Sequence, residues 1–168
     1  GQMLIKGVTS SAAARANLFA CVLTHNATEA NGIMLYNINI VNCTVADNMF
    51  GSCTYGATAW VYNSIFHSSG SLHASATYVS CVTSEPYPIM STLLSDPRVI
   101  AGSAAETAGD GQYVASVIAL PAAIGYKDYY GNAIPTSGTV MAGAAQVSAT
   151  PAAGGLACWG GVRVDGRR

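Results

Sequence analysis

Charge is what this 168-residue chain has least of: Lys, Arg, Asp and Glu together make up 9%, against about a quarter in an ordinary soluble domain. No Lys or Arg occurs between Ala16 and Pro97. With a net charge of −1, no basic surface exists to neutralise phosphates, so a nucleic-acid-binding role is excluded. No apolar run reaches the roughly 18 residues that a membrane-spanning helix needs. None of the five cysteines pair at the Cys-x-x-Cys spacing of a zinc or redox motif. Gly109-Asp110-Gly111 lacks the strand-to-helix setting of a nucleotide loop. No metal or cofactor is therefore expected. Strong helix formers other than Ala are also scarce, whereas β-branched and aromatic clusters broken by Gly, Ser and Asn are frequent, which favours strands.

What the chain does have is a repeat. Ile38 to Asn48 reads as a strand, a one-residue corner and a second strand. Ile38, Ile40, Cys43 and Val45 face inward, and Asn39, Val41 and Thr44 outward. The inward spacing slips by one residue at Asn42, so a flat strand cannot hold all four inside. A left-handed corner at Asn42 resolves the slip, because Asn tolerates that conformation better than other non-glycine residues. The pattern recurs at Leu18–Leu23, Ile40–Val45, Val61–Phe66 and, most weakly, Tyr78–Thr83. Its anchors Cys21, Cys43, Ser64 and Cys81 are 22, 21 and 17 residues apart. A period near twenty predicts a solenoid of stacked parallel strands, in which each unit buries its apolar face on the next. Three internal ladders follow: Leu18, Ile40, Val61, Tyr78; Cys21, Cys43, Ser64, Cys81; and Leu23, Val45, Phe66, Thr83. Asn42 and Asn63 stack at the corner, with Ala20 and Ser80 as imperfect members. A β-sandwich is the rival, since it too has short, regularly spaced strands.

The chain divides accordingly. Residues 1–16 are a partial coil or a connection, and residues 17–85 are the coils. Two close prolines in Glu85-Pro86-Tyr87-Pro88 end the repeat. Residues 86–147 form an irregular closing segment, and the Pro/Ala/Gly-rich residues 148–168 read as a linker or tail to a partner or a lost domain. Nothing in residues 1–16 looks like the polar cap that a solenoid end needs. Further coils of the same protein or a neighbouring subunit are therefore expected to cover that end. Cys21, Cys43 and Cys81 are expected inside as small hydrophobes, and the state of Cys53 and Cys158 stays open.

The order of motifs in residues 17–147 resembles the C-terminal part of secreted bacterial right-handed parallel β-helix proteins. These belong to the pectate-lyase-like superfamily, of the kind found ahead of assorted surface anchors. The resemblance rests on Asn42-Cys43-Thr44-Val45, Ser95-Asp96-Pro97, Leu120-Pro121-Ala122-Ala123-Ile124-Gly125, Asp128-Tyr129-Tyr130-Gly131-Asn132 and Gly143-Ala144-Ala145-Gln146. Gln146 stands where the family usually has Glu, and Met141-Ala142 where it often has Asp-Ile. It implies an all-β, right-handed parallel β-helix of about three to four coils, extracellular or on a cell surface. The fold hosts lyases, hydrolases and adhesins alike, so activity does not follow from it. The expected role is a structural or carbohydrate-recognising module within a larger protein or assembly. The alternative is part of a polysaccharide lyase or glycoside hydrolase. Lyases of this fold usually need a Lys or Arg base, and its absence from the coils counts against a complete site.

Two sets of residues are candidates for ligand binding. His25, Asp47, His67 and Glu85 lie four, four, three and four residues past their anchors. Stacked strands sit about 4.8 Å apart, so such groups would form a polar row able to act as acid and base on a sugar chain. The plainer reading is that they are solvated turn residues. The second set is aromatic. Phe19 and Tyr62 share an outward position with Val41 between them, and Trp60 is near. Such a stripe stacks on sugar rings or packs beneath a loop or partner.

Overall fold

The computed structural model describes residues 3–6, 15–24, 33–48, 59–68, 76–83, 89–91 and 96–150. The chain is all-β in character, with parallel sheets and one short helix among these residues. The first strands are β1 (Met3–Lys6), β2 (Ala16–Phe19), β3 (Val22–Thr24), β4 (Ile33–Tyr36), β5 (Ile38–Val41) and β6 (Thr44–Asn48). Then come β7 (Ala59–Tyr62), β8 (Ile65–Ser68) and β9 (Thr77–Val79). They pair in parallel as β1–β4, as β2–β5–β7–β9 and as β3–β6–β8.

The register matches the expected ladders. Leu18 pairs with Ile40, Ile40 with Val61 and Val61 with Tyr78. Leu23 pairs with Val45 and Val45 with Phe66; the last step is the Ile65–Val82 bridge, and Thr83 beyond it is exposed. Between the two larger sheets lies a core of Leu23, Ile38, Ile40, Cys43, Val45, Ala59, Val61 and Phe66. Each strand-to-strand corner has positive φ, at Ala20 (50°), Asn42 (50°), Asn63 (47°) and Ser80 (54°). The conformation costs an L-residue about 1–2 kcal/mol, and Asn occupies the two central corners. Backbone bonds continue around the turn: Asn42 N donates to Tyr62 O at 3.1 Å and Thr44 N to Cys21 O at 2.9 Å. A fifth left-handed non-glycine residue, Asn37 (φ 51°), joins β4 to β5.

The rest of the described chain lies outside the corner. It comprises β10 (Ile89–Ser91), β11 (Asp96–Ile100), a 3-10 turn (Ala104–Glu106), β12 (Gly109–Asp110), α1 (Gln112–Val117), β13 (Thr139–Val140) and β14 (Ser148–Ala149). β11 pairs antiparallel with β10 and parallel with β14, while β12 and β13 pair antiparallel. The expected tail thus begins as a strand at Ser148–Ala149. On one side of the corner, Val114, Ile134 and Val140 pack with Phe19, Ala20 and Tyr126. On the other side, Val99, Ala105 and Ala142 pack with Ile65 and Val82. This double cover explains why Val41 and Thr44, outward-facing by pattern, are fully buried. No helix among the described residues is long and apolar enough to cross a membrane.

Candidate functional site

The corner is where chemistry-bearing side chains converge. Asn63 grips the peptide of Asp110 from both sides: its Nδ2 donates to Asp110 O and its Oδ1 accepts from Asp110 N, both at 2.8 Å. Asn42 Nδ2 donates to Met141 O at 3.2 Å, and the two corner amides meet at 3.5 Å. Backbone groups complete the junction, with Gly143 N donating to Asn63 O at 2.8 Å and Ala144 N to Thr44 Oγ1 at 3.0 Å. Gly143 has φ 97°. A Cβ there would lie 2.7 Å from Ile65 Cδ1 and 2.9 Å from Thr44 Oγ1, so only glycine lets this backbone approach so closely.

A second polar cluster holds that junction from behind. The Asp128 carboxylate accepts from Tyr130 N (2.9 Å), Asn132 N (2.7 Å), Asn132 Nδ2 (3.0 Å) and Gln146 N (2.8 Å). Burial alone would raise its pKa, but these donors together hold it below the usual carboxylate range. Tyr129 N donates to Ala144 O at 2.8 Å, which ties the Asp128–Asn132 turn to the Gly143–Gln146 end. Nearby, Asp96 is gripped by the Arg98 fork, with Nε to Oδ1 at 2.9 Å and Nη2 to Oδ2 at 2.7 Å. The Tyr130 hydroxyl adds a bond to Asp96 Oδ1 at 3.1 Å. Arg98 above all, opposed by partial burial, keeps the Asp96 carboxyl ionised below its ordinary pKa. Two carboxylates saturated with donors are poor proton donors near neutral pH, so both clusters act as fasteners.

The candidate residues are placed differently from one another. His25 and Glu85 lie outside the described residues. Asp47 and His67 lie on β6 and β8, where His67 pairs with Ala46 and Ser68 with Asn48. Asp47 therefore falls at a register shift, out of step with His67. The aromatic residues are brought to packing surfaces. Phe19 meets Tyr126 edge-on, with centroids 5.8 Å apart, and Tyr62 stacks on Tyr113 of α1 at 5.1 Å. Trp60 lies beneath the Arg15 guanidinium, and Arg15 Nη1 also donates to Asn39 Oδ1 at 3.2 Å. Among the described residues, no three His, Cys, Asp or Glu side chains converge as a metal site would require.

Pattern reasoning missed two arrangements. One is the outward polar row, in which Asn39 Nδ2 donates to Asn17 Oδ1 at 2.9 Å; their 22-residue separation was the available signal. The other is the behaviour of the thiols. Each anchor side chain donates to the carbonyl two residues before it: Cys21 to Phe19 O (3.2 Å), Cys43 to Val41 O (3.4 Å), Ser64 to Tyr62 O (2.7 Å) and Cys81 to Val79 O (3.2 Å). Burial pushes Cys81 up to about 11 and Cys43 also upward. Cys21, half-buried with the Cys43 thiol as its neighbour, is pulled below the ordinary thiol value against its partial burial.

No protein-family model, curated protein or solved structure matches this chain.

Proposed function

We propose that the chain is a structural module of a right-handed parallel β-helix on an extracellular or cell-surface protein, similar to the C-terminal part of secreted bacterial pectate-lyase-like proteins. Its described coils form a rigid stack. The wrapped segment after Asp96 seals the lateral corner, and the stack continues beyond β2 into further coils or a neighbouring subunit.

The observation that carries this reading is the distribution of exposure along the inner ladders. Ile40, Cys43, Val61 and Ser64 in the middle rungs are fully buried, whereas Leu18 and Cys21 on β2 and its corner are half-buried. Among the described residues β2 and β3 each lie at the edge of their sheets, and an edge with apolar rungs favours pairing with another chain. The aromatic stripe supports structure over carbohydrate recognition, because Phe19 and Tyr62 already have ring partners within the chain.

Light scattering with hydrogen exchange on the isolated chain tests the reading. Self-association, or monomers whose β2 amides exchange far faster than those of β5, is the expected result. A stable monomer with β2 protected as strongly as β5 would refute the axial continuation. Release of unsaturated uronic products from an acidic polysaccharide would instead support the lyase alternative.

A further inference from the structure

We propose that the two open edges of this stack mate with each other between copies of the chain: β9 of one copy pairs in parallel with β2 of the next, and copies assemble head to tail. This pairing rests on the axial continuation proposed above and names its occupant. Among the described residues, β2 and β9 are the outer strands of the sheet β2–β5–β7–β9, and the segment after Asp96 pairs with neither. The two edges are in phase. Ala16, Leu18 and Cys21 at one end, and Ala76, Tyr78 and Cys81 at the other, flank the buried core while staying partly exposed. One constant offset along the chain relates the three pairs. It also carries Asn17 onto Thr77, both exposed, and Ala20 onto Ser80, which share the left-handed corner at φ 50° and 54°. A continued stack needs a strand, a left-handed corner and inward rungs at matching places. Each end offers them to the other.

The backbone bonds follow the same logic. At the corner, Ala20 N donates to Val41 O, Asn42 N to Tyr62 O and Asn63 N to Val79 O, each at 3.1 Å. The next donor in that series is Ser80 N, and the equivalent acceptor is Phe19 O of the following copy. A second series runs the other way: Thr44 N donates to Cys21 O, Ile65 N to Cys43 O and Val82 N to Ser64 O, each at 2.9 Å. Its continuation joins Val22 N of the following copy to Cys81 O. Two bonds of the kind already repeated inside the stack thus cross the junction.

Neither edge is guarded against pairing. Ala16–Phe19 and Thr77–Val79 carry no charge and no proline, and both pair inward without a register shift. Edges that must stay single are usually blocked by charge, proline or a bulge. A two-fold arrangement of β2 on β2 would run the strands antiparallel and set the two corners at opposite ends. The interface therefore joins unlike edges and repeats along an open axis.

Analytical ultracentrifugation of the full chain under reducing conditions tests this, with Leu18→Lys closing one edge and Tyr78→Lys the other. The parent chain should grow past dimer as concentration rises. Each variant alone should remain monomeric, and their equimolar mixture should give a dimer and nothing larger, because one intact edge of each kind is left. Association that survives in either variant alone would overturn the pairing of unlike edges. A parent chain that stays monomeric would overturn the proposal, and hydrogen exchange then separates it from the reading beneath. Fast exchange at both β2 and β9 would leave axial continuation with a different occupant, whereas β2 protected as strongly as β5 would refute both. Circular dichroism checks folding. Should a rung variant unfold, Asn17→Lys combined with Thr77→Lys sets like charges opposite each other at every junction from exposed positions. That double variant should associate about tenfold more weakly at low salt and recover at high salt; association as strong as the parent's at low salt would overturn the proposal.

Discussion

Replacing Asn63 separates the two reasons for its presence at the corner. The backbone reason is φ 47°, which a β-branched residue resists at a cost of about 1–3 kcal/mol. The side-chain reason is the two-way grip on the Asp110 peptide at 2.8 Å. Losing it leaves a partly buried N–H and C=O unpaired, at about 1–3 kcal/mol. Asn63→Gly keeps the conformation and loses the grip together with the 3.5 Å contact to the Asn42 amide, so it should destabilise by about 1–3 kcal/mol. Asn63→Val loses both and should cost about 3–5 kcal/mol. Asn63→Ala should fall between. Urea denaturation reads the series as shifts in midpoint at constant slope, and hydrogen exchange should show the Asp110 amide opening first in the glycine variant. If valine and glycine prove equally stable, the strain argument is wrong. If glycine is neutral, the grip on Asp110 contributes nothing to holding the covering segment.

The neighbouring corner should respond less, since Asn42 donates one bond, to Met141 O, and otherwise meets the Asn63 amide at 3.5 Å: Asn42→Val is expected to cost about 2–4 kcal/mol by the same assay. Gly143→Ala should lower stability by more than about 2 kcal/mol, because its Cβ would meet Ile65 and Thr44 at φ 97°. A midpoint unchanged from the parent chain would contradict the close-approach argument. Acid should weaken the fold. Asp128 and Asp96 have folded pKa values below their ordinary ones, so their stabilisation is complete above about pH 4 to 5, starts to decline at the ordinary carboxylate value and is lost as pH falls on through the depressed folded values. Urea midpoints measured from pH 6 down to pH 3 should decline, and Asp128→Asn should flatten the slope; an identical slope in that variant would exclude Asp128 as a contributor.

Much of the parallel strand pairing was legible because it rests on local rules. The slip of inward spacing at Asn42 demanded a corner, and alignment on that corner put Ala20, Asn63 and Ser80 at equivalent positions, all of which have positive φ. Parallel register then followed, since an apolar ladder of Leu18, Ile40, Val61 and Tyr78 has one alignment that keeps every member inside. The covering segment was harder to read. Its contacts span 99 residues from Asn42 to Met141 and 100 from Thr44 to Ala144, and no periodicity carries information over that distance. Val41, Thr44, Phe19 and Tyr62 therefore read as outward-facing, although a segment distant in sequence buries or flanks them. Of the expected polar row, Asp47 stands at the register shift between the Ala46–His67 and Asn48–Ser68 pairs.

That covering segment bears directly on how the molecule makes contacts. A lateral sheet face with aromatic side chains would ordinarily be the surface to offer a ligand. Here Tyr113 and Tyr126 occupy the rings of Tyr62 and Phe19 from within the chain. The corner amides are likewise spent on Asp110 and Met141. Little unsatisfied chemistry remains on the described lateral corner. At the outer rungs the balance is reversed: Leu18 and Cys21 at one extreme, and Tyr78 and Cys81 at the other, are half-buried side chains of an apolar ladder. Each large side chain left partly in water forgoes some of the roughly 1.5–3 kcal/mol that full burial supplies, a substantial fraction of a small domain's stability. Removing Leu18 should therefore cost the isolated chain less than removing Ile40 one rung inward. Leu18→Ala is expected at about 1–2 kcal/mol and Ile40→Ala at about 3–5 kcal/mol. Equal losses in urea denaturation would mean that the Leu18 rung is as well covered as the centre, and the case for axial continuation would lose its energetic basis.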